Sequence, residues 1–406
     1  MLARNVLAAC CSILAVLGSS SARADFNSGD PGSSALTFTT LSITPFAIEG
    51  LTGDSAGFLY TTGRAPAGTR CPVWKIDTNS SAARPVTPVQ IGSIPNDAAS
   101  LCNPSGITFD NAGNLYIADA AQGGVIWRVS PSSDPDPTTP YAKGVPGTNG
   151  LAFDRFGDLW TGDGTTGLGR VWGIAPGGGT CEPSFSKCIE LFRIPALVNN
   201  FGVGRQVATV QPGGAAPNPT SLVANGVAFD LNGDMLIADT ARGAIWRVTF
   251  DKGVISSPMG CDITYAANTL CLSNVWVQHP ALEGLDGFAL DQSGNIYNAA
   301  NERNAIVLVT SKERVFEIFR TPVNTTTALR NAATSAAGDT KILELPTSPF
   351  LLGNLLCVAQ SDGDRRDNSP RAAGEVNGGA ANPGARGKIS CADQRLTVPG
   401  LPLPVH

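Results

Sequence analysis

One register of this chain holds an unusual set of oxygen donors. Glu49, Asn149, Asn225 and Asp286 each stand immediately before a Gly, and Ser105 fills the same place in a further copy of the surrounding motif. Two carboxylates and two carboxamides together suit a hard divalent cation. Ca2+ fits best, because its flexible coordination accepts carboxylate, amide and water oxygen side by side; another divalent cation would use the same donors, whereas zinc would favour the His or Cys that this column lacks. A single Asn-Gly or Asp-Gly is an ordinary turn dipeptide and says little. The pattern across copies says more: the residue before the Gly varies while staying oxygen-bearing, and its surroundings hardly vary. A single asymmetric site on a pseudo-symmetric frame requires that combination.

The frame is legible in the copies themselves. They read EGLTGDSAGFLYTTG from 49, SGITFDNAGNLYIAD from 105, NGLAFDRFGDLWTGD from 149, NGVAFDLNGDMLIAD from 225 and DGFALDQSGNIYNAA from 286. Each holds two short β-prone runs around an Asp, Asn, Gly or Ser-rich turn, and third strands follow at GGVIWRVSP, GRVWGIAP, GAIWRVTF and NAIVLVTS. Such sheets repeated about every 40 to 60 residues predict an all-β, six-bladed β-propeller of four-stranded antiparallel blades, since radial packing buries both faces of each sheet. A β-sandwich or an open solenoid is the competing architecture. GNLLCVAQS from 353 marks a sixth unit without a recognisable preceding turn, and the strand near 36–44 is expected to complete the last blade and close the ring. In a propeller the first strand of each blade lines the central channel, so the column before the Gly converges on one channel mouth, the Gly permitting a tight turn and close backbone approach. The recurrent FD residues Asp110, Asp154, Asp230 and Asp291, and the AD residues Asp119 and Asp239, sit in near-identical contexts and read as scaffold.

Composition bounds the rest. The 406 residues are 42% hydrophobic and 15% charged, with a formal net charge of -5, which gives material for a large core and no basic footprint for nucleic acid or an anionic membrane. Met1 to Ala24 reads as a secretory signal peptide: Arg4, a short apolar run from Val6 to Leu17, and the small-x-small Ala22-Arg23-Ala24. Leu7-Ala8-Ala9-Cys10 imitates a lipoprotein box but has too little apolar sequence before it. The expected location is secreted or periplasmic. The eight remaining cysteines then pair, the expected bridges being 71 with 102, 181 with 188, 261 with 271 and 357 with 391, although connectivity does not follow from sequence. Insertions are expected at about 179–221, 312–347 and 361–387; the first, with Phe192, Ile194, Leu197, Val198 and Phe201, could be a lid, while the last has almost nothing apolar to dock.

The order Glu49-Gly50, Asn149-Gly150, Asn225-Gly226, Asp286-Gly287 resembles the calcium-dependent six-bladed propeller hydrolases, gluconolactonase and regucalcin-like proteins, with paraoxonases as more distant relatives. The resemblance spans about residues 45 to 310. It implies that Glu49, Asn149, Asn225 and Asp286 ligate a catalytic Ca2+ that polarises the carbonyl of a small-molecule lactone or ester. Asp286 would activate water or attack the carbonyl itself. His279, seven residues earlier, would be a rim base or merely an exposed loop residue; Ser105 would touch substrate, and Glu283 lies in a second Glu-Gly. Two departures stand out. Leu51-Thr52-Gly53 replaces the Pro-x-Trp or Pro-x-Phe that commonly follows the first Glu-Gly, and the repeats also look NHL-like, which implies as the alternative a non-catalytic propeller binding a protein or glycan. A streptogramin-lyase-like propeller gives no reason for this residue order.

Overall fold

The local figure folds through one device used five times. Asp54, Asp110, Asp154, Asp230 and Asp291 each end an inner strand, and each Oδ1 accepts the backbone N–H groups two and four residues on. Three residues after each Asp, Gly57, Gly113, Gly157, Gly233 and Gly294 take positive φ, which only Gly adopts without strain. The second carboxylate oxygen then accepts from an aromatic on the adjoining second strand: Tyr60, Tyr116, Trp160 and Tyr297 at 2.8, 3.0, 3.1 and 3.4 Å. In the remaining copy Arg247 approaches Asp230 instead, at 3.6 Å. The FD aspartates are therefore turn residues, as the sequence led us to expect.

These turns join the first and second strands of successive blades in a six-bladed β-propeller. The computed structural model describes residues 23–24, 36–95, 102–121, 123–130, 138–181, 188–196, 224–321, 343, 345–361 and 387–403. From the axis outward, blade one is Thr52–Gly53, Phe58–Thr62, Cys71–Asp77 and Val89–Ile94. Blade two is Pro104–Phe109, Leu115–Asp119, Val125–Val129 and Thr139–Lys143; blade three is Thr148–Phe153, Leu159–Asp163, Arg170–Ile174 and Cys188–Arg193. Blade four is Val227–Phe229, Met235–Asp239, Ala244–Val248 and Val275–Gln278; blade five is Leu285–Leu290, Ile296–Ala300, Ala305–Val309 and Val315–Arg320. Blade six is Pro346–Leu352, Leu355–Gln360 and Lys388–Ala392, and its outermost strand is Phe38–Ile43 from the other end of the chain. The ring is closed by that strand.

Apolar packing follows the same plan, one cluster between each pair of neighbouring blades. Tyr116, Ile126 and Leu151 lie between blades two and three; Trp160, Ile237 and the fully buried Trp246 lie between three and four; Phe38, Ile306 and Val358 lie between five and six. Burial of this kind is what makes radial assembly favourable. The four expected disulfides are all formed: Cys71–Cys102, Cys181–Cys188, Cys261–Cys271 and Cys357–Cys391.

Two expected insertions are narrower than the composition suggested. Cys188–Arg193 is the outer strand of blade three, with Phe192 and Ile194 buried in the blade three–four core, so these two cannot belong to a lid. Val315–Arg320 is likewise the outer strand of blade five, and Pro346–Leu352 opens blade six. Leu197, Val198, Phe201 and most of 361–387 lie outside the described residues. An excursion that carries no composition signal occupies 249–274 between two strands of blade four, holding the Phe250–Asp251/Val254–Ile255 hairpin and the Cys261–Cys271 bridge. Of the expected signal peptide only Arg23–Ala24 is described, paired in parallel with Arg395–Leu396. No described helix is long and apolar enough to cross a membrane.

Candidate active site at the channel mouth

The column residues begin the inner strands, and their backbones form a continuous circle about the axis. A Cβ added to Gly50 would lie 2.2 Å from the Ser105 carbonyl oxygen, one on Gly106 would lie 2.1 Å from that of Asn149, and one on Gly150 2.7 Å from that of Asn225. The same holds for Gly226 against Asp286 at 2.6 Å and Gly287 against Thr347 at 2.8 Å. Each Gly is thus dictated by the next blade's column residue pressing on it. None of these five has positive φ, so the tight turn expected there is absent and close approach alone explains the residue. Backbone N–H groups of Gly150 and Gly226 donate to Asn225 and Asp286 carbonyls, each at 3.3 Å, and Thr347 Oγ1 donates to the Glu49 carbonyl at 2.7 Å, closing the circle. Thr347 is the sixth member of the column. It escaped sequence reading because Ser348 replaces the Gly.

All these column residues are buried: Glu49 is 8%, Ser105 2%, Asn149 8%, Asn225 3% and Asp286 6% exposed. Asn149 Nδ2 donates to Glu49 Oε1 at 3.2 Å, which brings blades one and three together past blade two. Glu49 Oε2 is ion-paired with Arg64, whose Nε donates to the Pro104 carbonyl at 3.3 Å. Asn225 Nδ2 donates to Thr240 Oγ1 at 3.1 Å, and Asn225 Oδ1 is buried with no hydrogen-bond partner. Asp286 Oδ2 accepts from Asn301 Nδ2 at 3.1 Å, and Asn301 Oδ1 is likewise buried and unpartnered. Ser105 Oγ donates to the Thr148 carbonyl at 3.3 Å, a backbone-anchoring contact.

Those partners disclose a second column, one that sequence reading missed. Residues 64, 120, 164, 240, 301 and 361 follow the second strands of the six blades and stand over the first column: Arg64, Ala120, Gly164, Thr240, Asn301 and Ser361. Gly164 leaves room for Asn149, whose Nδ2 would lie 2.6 Å from an added Cβ. The signal was the position immediately after the repeated AD aspartate. Those aspartates are scaffold, as expected: Asp119 accepts from the Asn103 and Ala121 N–H groups and Trp127 Nε1, and Asp239 from Arg242 and Trp246 Nε1. Burial pushes the Asp119 carboxyl above its usual range, against the pull of those hydrogen bonds and of the Arg64 charge.

His279 is exposed and caps the short Pro280–Leu282 turn, its Nδ1 accepting from the Ala281 N–H at 3.1 Å. Glu283, at the end of that turn, packs its backbone N–H against Gly243. Neither makes a hydrogen bond to the column among the contacts described. Among the described residues no three His, Cys, Asp or Glu side chains converge to hold a metal. The column relies instead on carboxamides beside two carboxylates, and it fits Ca2+ on one specific ground: buried acceptors are normally paired, and Asn225 Oδ1 is not.

Comparison with known proteins agrees with this architecture. Residues 214–332 match the family model described as the SMP-30/Gluconolactonase/LRE-like region. No curated protein matches the chain. The regucalcin of Agrobacterium tumefaciens strain C58, a calcium-binding protein, is similar in fold, with 17% identity, a TM-score of 0.53, and coverage of 91% of this chain and 97% of that one. A luciferin-regenerating enzyme is similar with 12% identity, a TM-score of 0.52, and coverage of 91% and 98%. The segment carrying Asn225, Asp286 and Asn301 therefore matches the SMP-30/gluconolactonase/LRE-like family, on a chain whose whole fold is the six-bladed propeller of these structures.

Proposed function

We propose that this protein is an exported, Ca2+-dependent hydrolase of small-molecule lactones or esters, with its site at the channel mouth. The observation that carries the reading is the buried, unpartnered Oδ1 of Asn225 in a ring shared with Glu49, Asn149 and Asp286. Those four residues would hold the ion, which when bound supplies a Lewis acid that polarises the substrate carbonyl and stabilises charge on its oxygen. Asp286 acts as the base that takes the proton of the attacking water or, equally, as the nucleophile itself. Asn301 is its positioning residue, fixing one carboxylate oxygen through its amide. His279, already spent on capping a turn, has no part in this scheme. The four disulfides fit an oxidising compartment and so support export.

Calorimetric titration with Ca2+ together with hydrolysis of a lactone and ester panel tests the reading. Asp286→Ala should lose ion binding at least ten-fold, the scale of one lost ligand at about 1.4 kcal/mol per decade, and should lose turnover altogether. Unchanged Ca2+ affinity in that variant would reject the site. A non-catalytic binding propeller is favoured by one feature, the internal Glu49–Arg64 pair, and it predicts no stoichiometric ion in the same titration.

A further inference from the structure

Arg64 is the one charged residue of the second column, where the other five blades present Ala120, Gly164, Thr240, Asn301 and Ser361. Its guanidinium is ion-paired with Glu49, the first member of the oxygen set, and its Nε is anchored on the Pro104 carbonyl of blade two. Both partners are mostly shielded, the side chains of Arg64 and Glu49 being 19% and 11% exposed. The other Glu49 oxygen accepts from Asn149 Nδ2, so that with Arg64 in place both oxygens of this carboxylate already have a partner. A divalent ion and a guanidinium cannot share one shielded carboxylate without strong repulsion.

We propose that Arg64 is a built-in counter-cation of the channel mouth: Ca2+ loads by displacing its guanidinium from Glu49, and Arg64 thereby sets the affinity of the site. This inference rests on the Ca2+ reading above. The pairing gives the ion-free protein a satisfied Glu49, and loading costs the breaking of that pair and the re-orientation of the Asn149 amide so that its oxygen replaces its nitrogen. Removing the guanidinium has two opposite consequences. The ion-free fold loses the partner of a buried carboxylate, while the ion loses its competitor.

The test is Ca2+ titration calorimetry on wild type, Arg64→Gln and Arg64→Lys, with thermal unfolding of each in chelator and in excess Ca2+. Arg64→Gln should bind Ca2+ about ten- to a hundred-fold more tightly, unfold below wild type in chelator, and show the larger rise in unfolding temperature on Ca2+ addition. Arg64→Lys, whose point charge cannot fork between Glu49 and the Pro104 carbonyl, should be about two- to five-fold tighter than wild type, and it decides the matter if the Gln variant fails to fold. Equal or weaker affinity in Arg64→Gln, or in Arg64→Lys where only that variant folds, overturns the counter-cation role while leaving the Ca2+ site intact. Absence of Ca2+ binding in wild type and both variants overturns the underlying reading as well, and the two failures are thereby distinguished.

Discussion

At the scale of single residues, the channel mouth is governed by contact with the next blade. Gly150 illustrates this: a Cβ there meets Asn225 O and Val227 N, both at 2.7 Å, and neither backbone atom can yield without moving a strand. Gly150→Ala should therefore destabilise the protein by about 3 kcal/mol, read as a lower denaturation midpoint with an unchanged slope. On the proposed reading it should also weaken Ca2+ binding, because it displaces Asn225. Sequence reading found Glu49, Asn149, Asn225 and Asp286 because their type varies against a constant background. It could not find Arg64, Asn301 or Thr347. Arg64 and Asn301 follow Gly63 and Ala300, where the marking aspartate of the other copies is missing, and Thr347 lacks the Gly that marks its counterparts.

At the scale of the element, the Asx-type turn is the repeating unit of stability. Asp110 serves four donors: the Ala112 and Asn114 N–H groups, Asn114 Nδ2 and the Tyr116 hydroxyl. Burial alone would raise its pKa, but these bonds prevail and hold it below its ordinary 3.8. A carboxyl depressed in the fold adds stability above its unfolded pKa, and that stability disappears as pH falls through the folded value. Asp110→Ala should accordingly cost about 2 kcal/mol near neutrality and much less once the pH falls through the depressed folded value, a convergence that unfolding temperatures across pH will register. The same unit explains why strands one and two were legible, since Asp, Gly and the following aromatic recur at fixed offsets. Outer strands carry no such mark. Cys188–Arg193 and Val315–Arg320 accordingly fall within the expected insertions, although ELFRIPA from 190 looks strand-like in sequence and the two segments pair antiparallel with Arg170–Ile174 and Ala305–Val309.

At the scale of the whole molecule, closure decides integrity. Blade six joins its second and third strands by Cys357–Cys391 and takes its outermost strand from Phe38–Ile43, whose Phe38 and Leu41 are almost fully buried. Replacing both cysteines by Ser should cost about 2–4 kcal/mol, seen as a lower unfolding temperature that reducing agent does not shift further through this bridge. Deleting 36–43 should do worse, exposing the edge of Lys388–Ala392 and producing association detectable by light scattering. The pairing has a temporal side too. Thr40 finds its partner Ser390 350 positions later. A ribosome delivers the chain in order, so Phe38–Ile43 must wait without its sheet partner until Lys388–Ala392 has been made, and the circle is sealed only then.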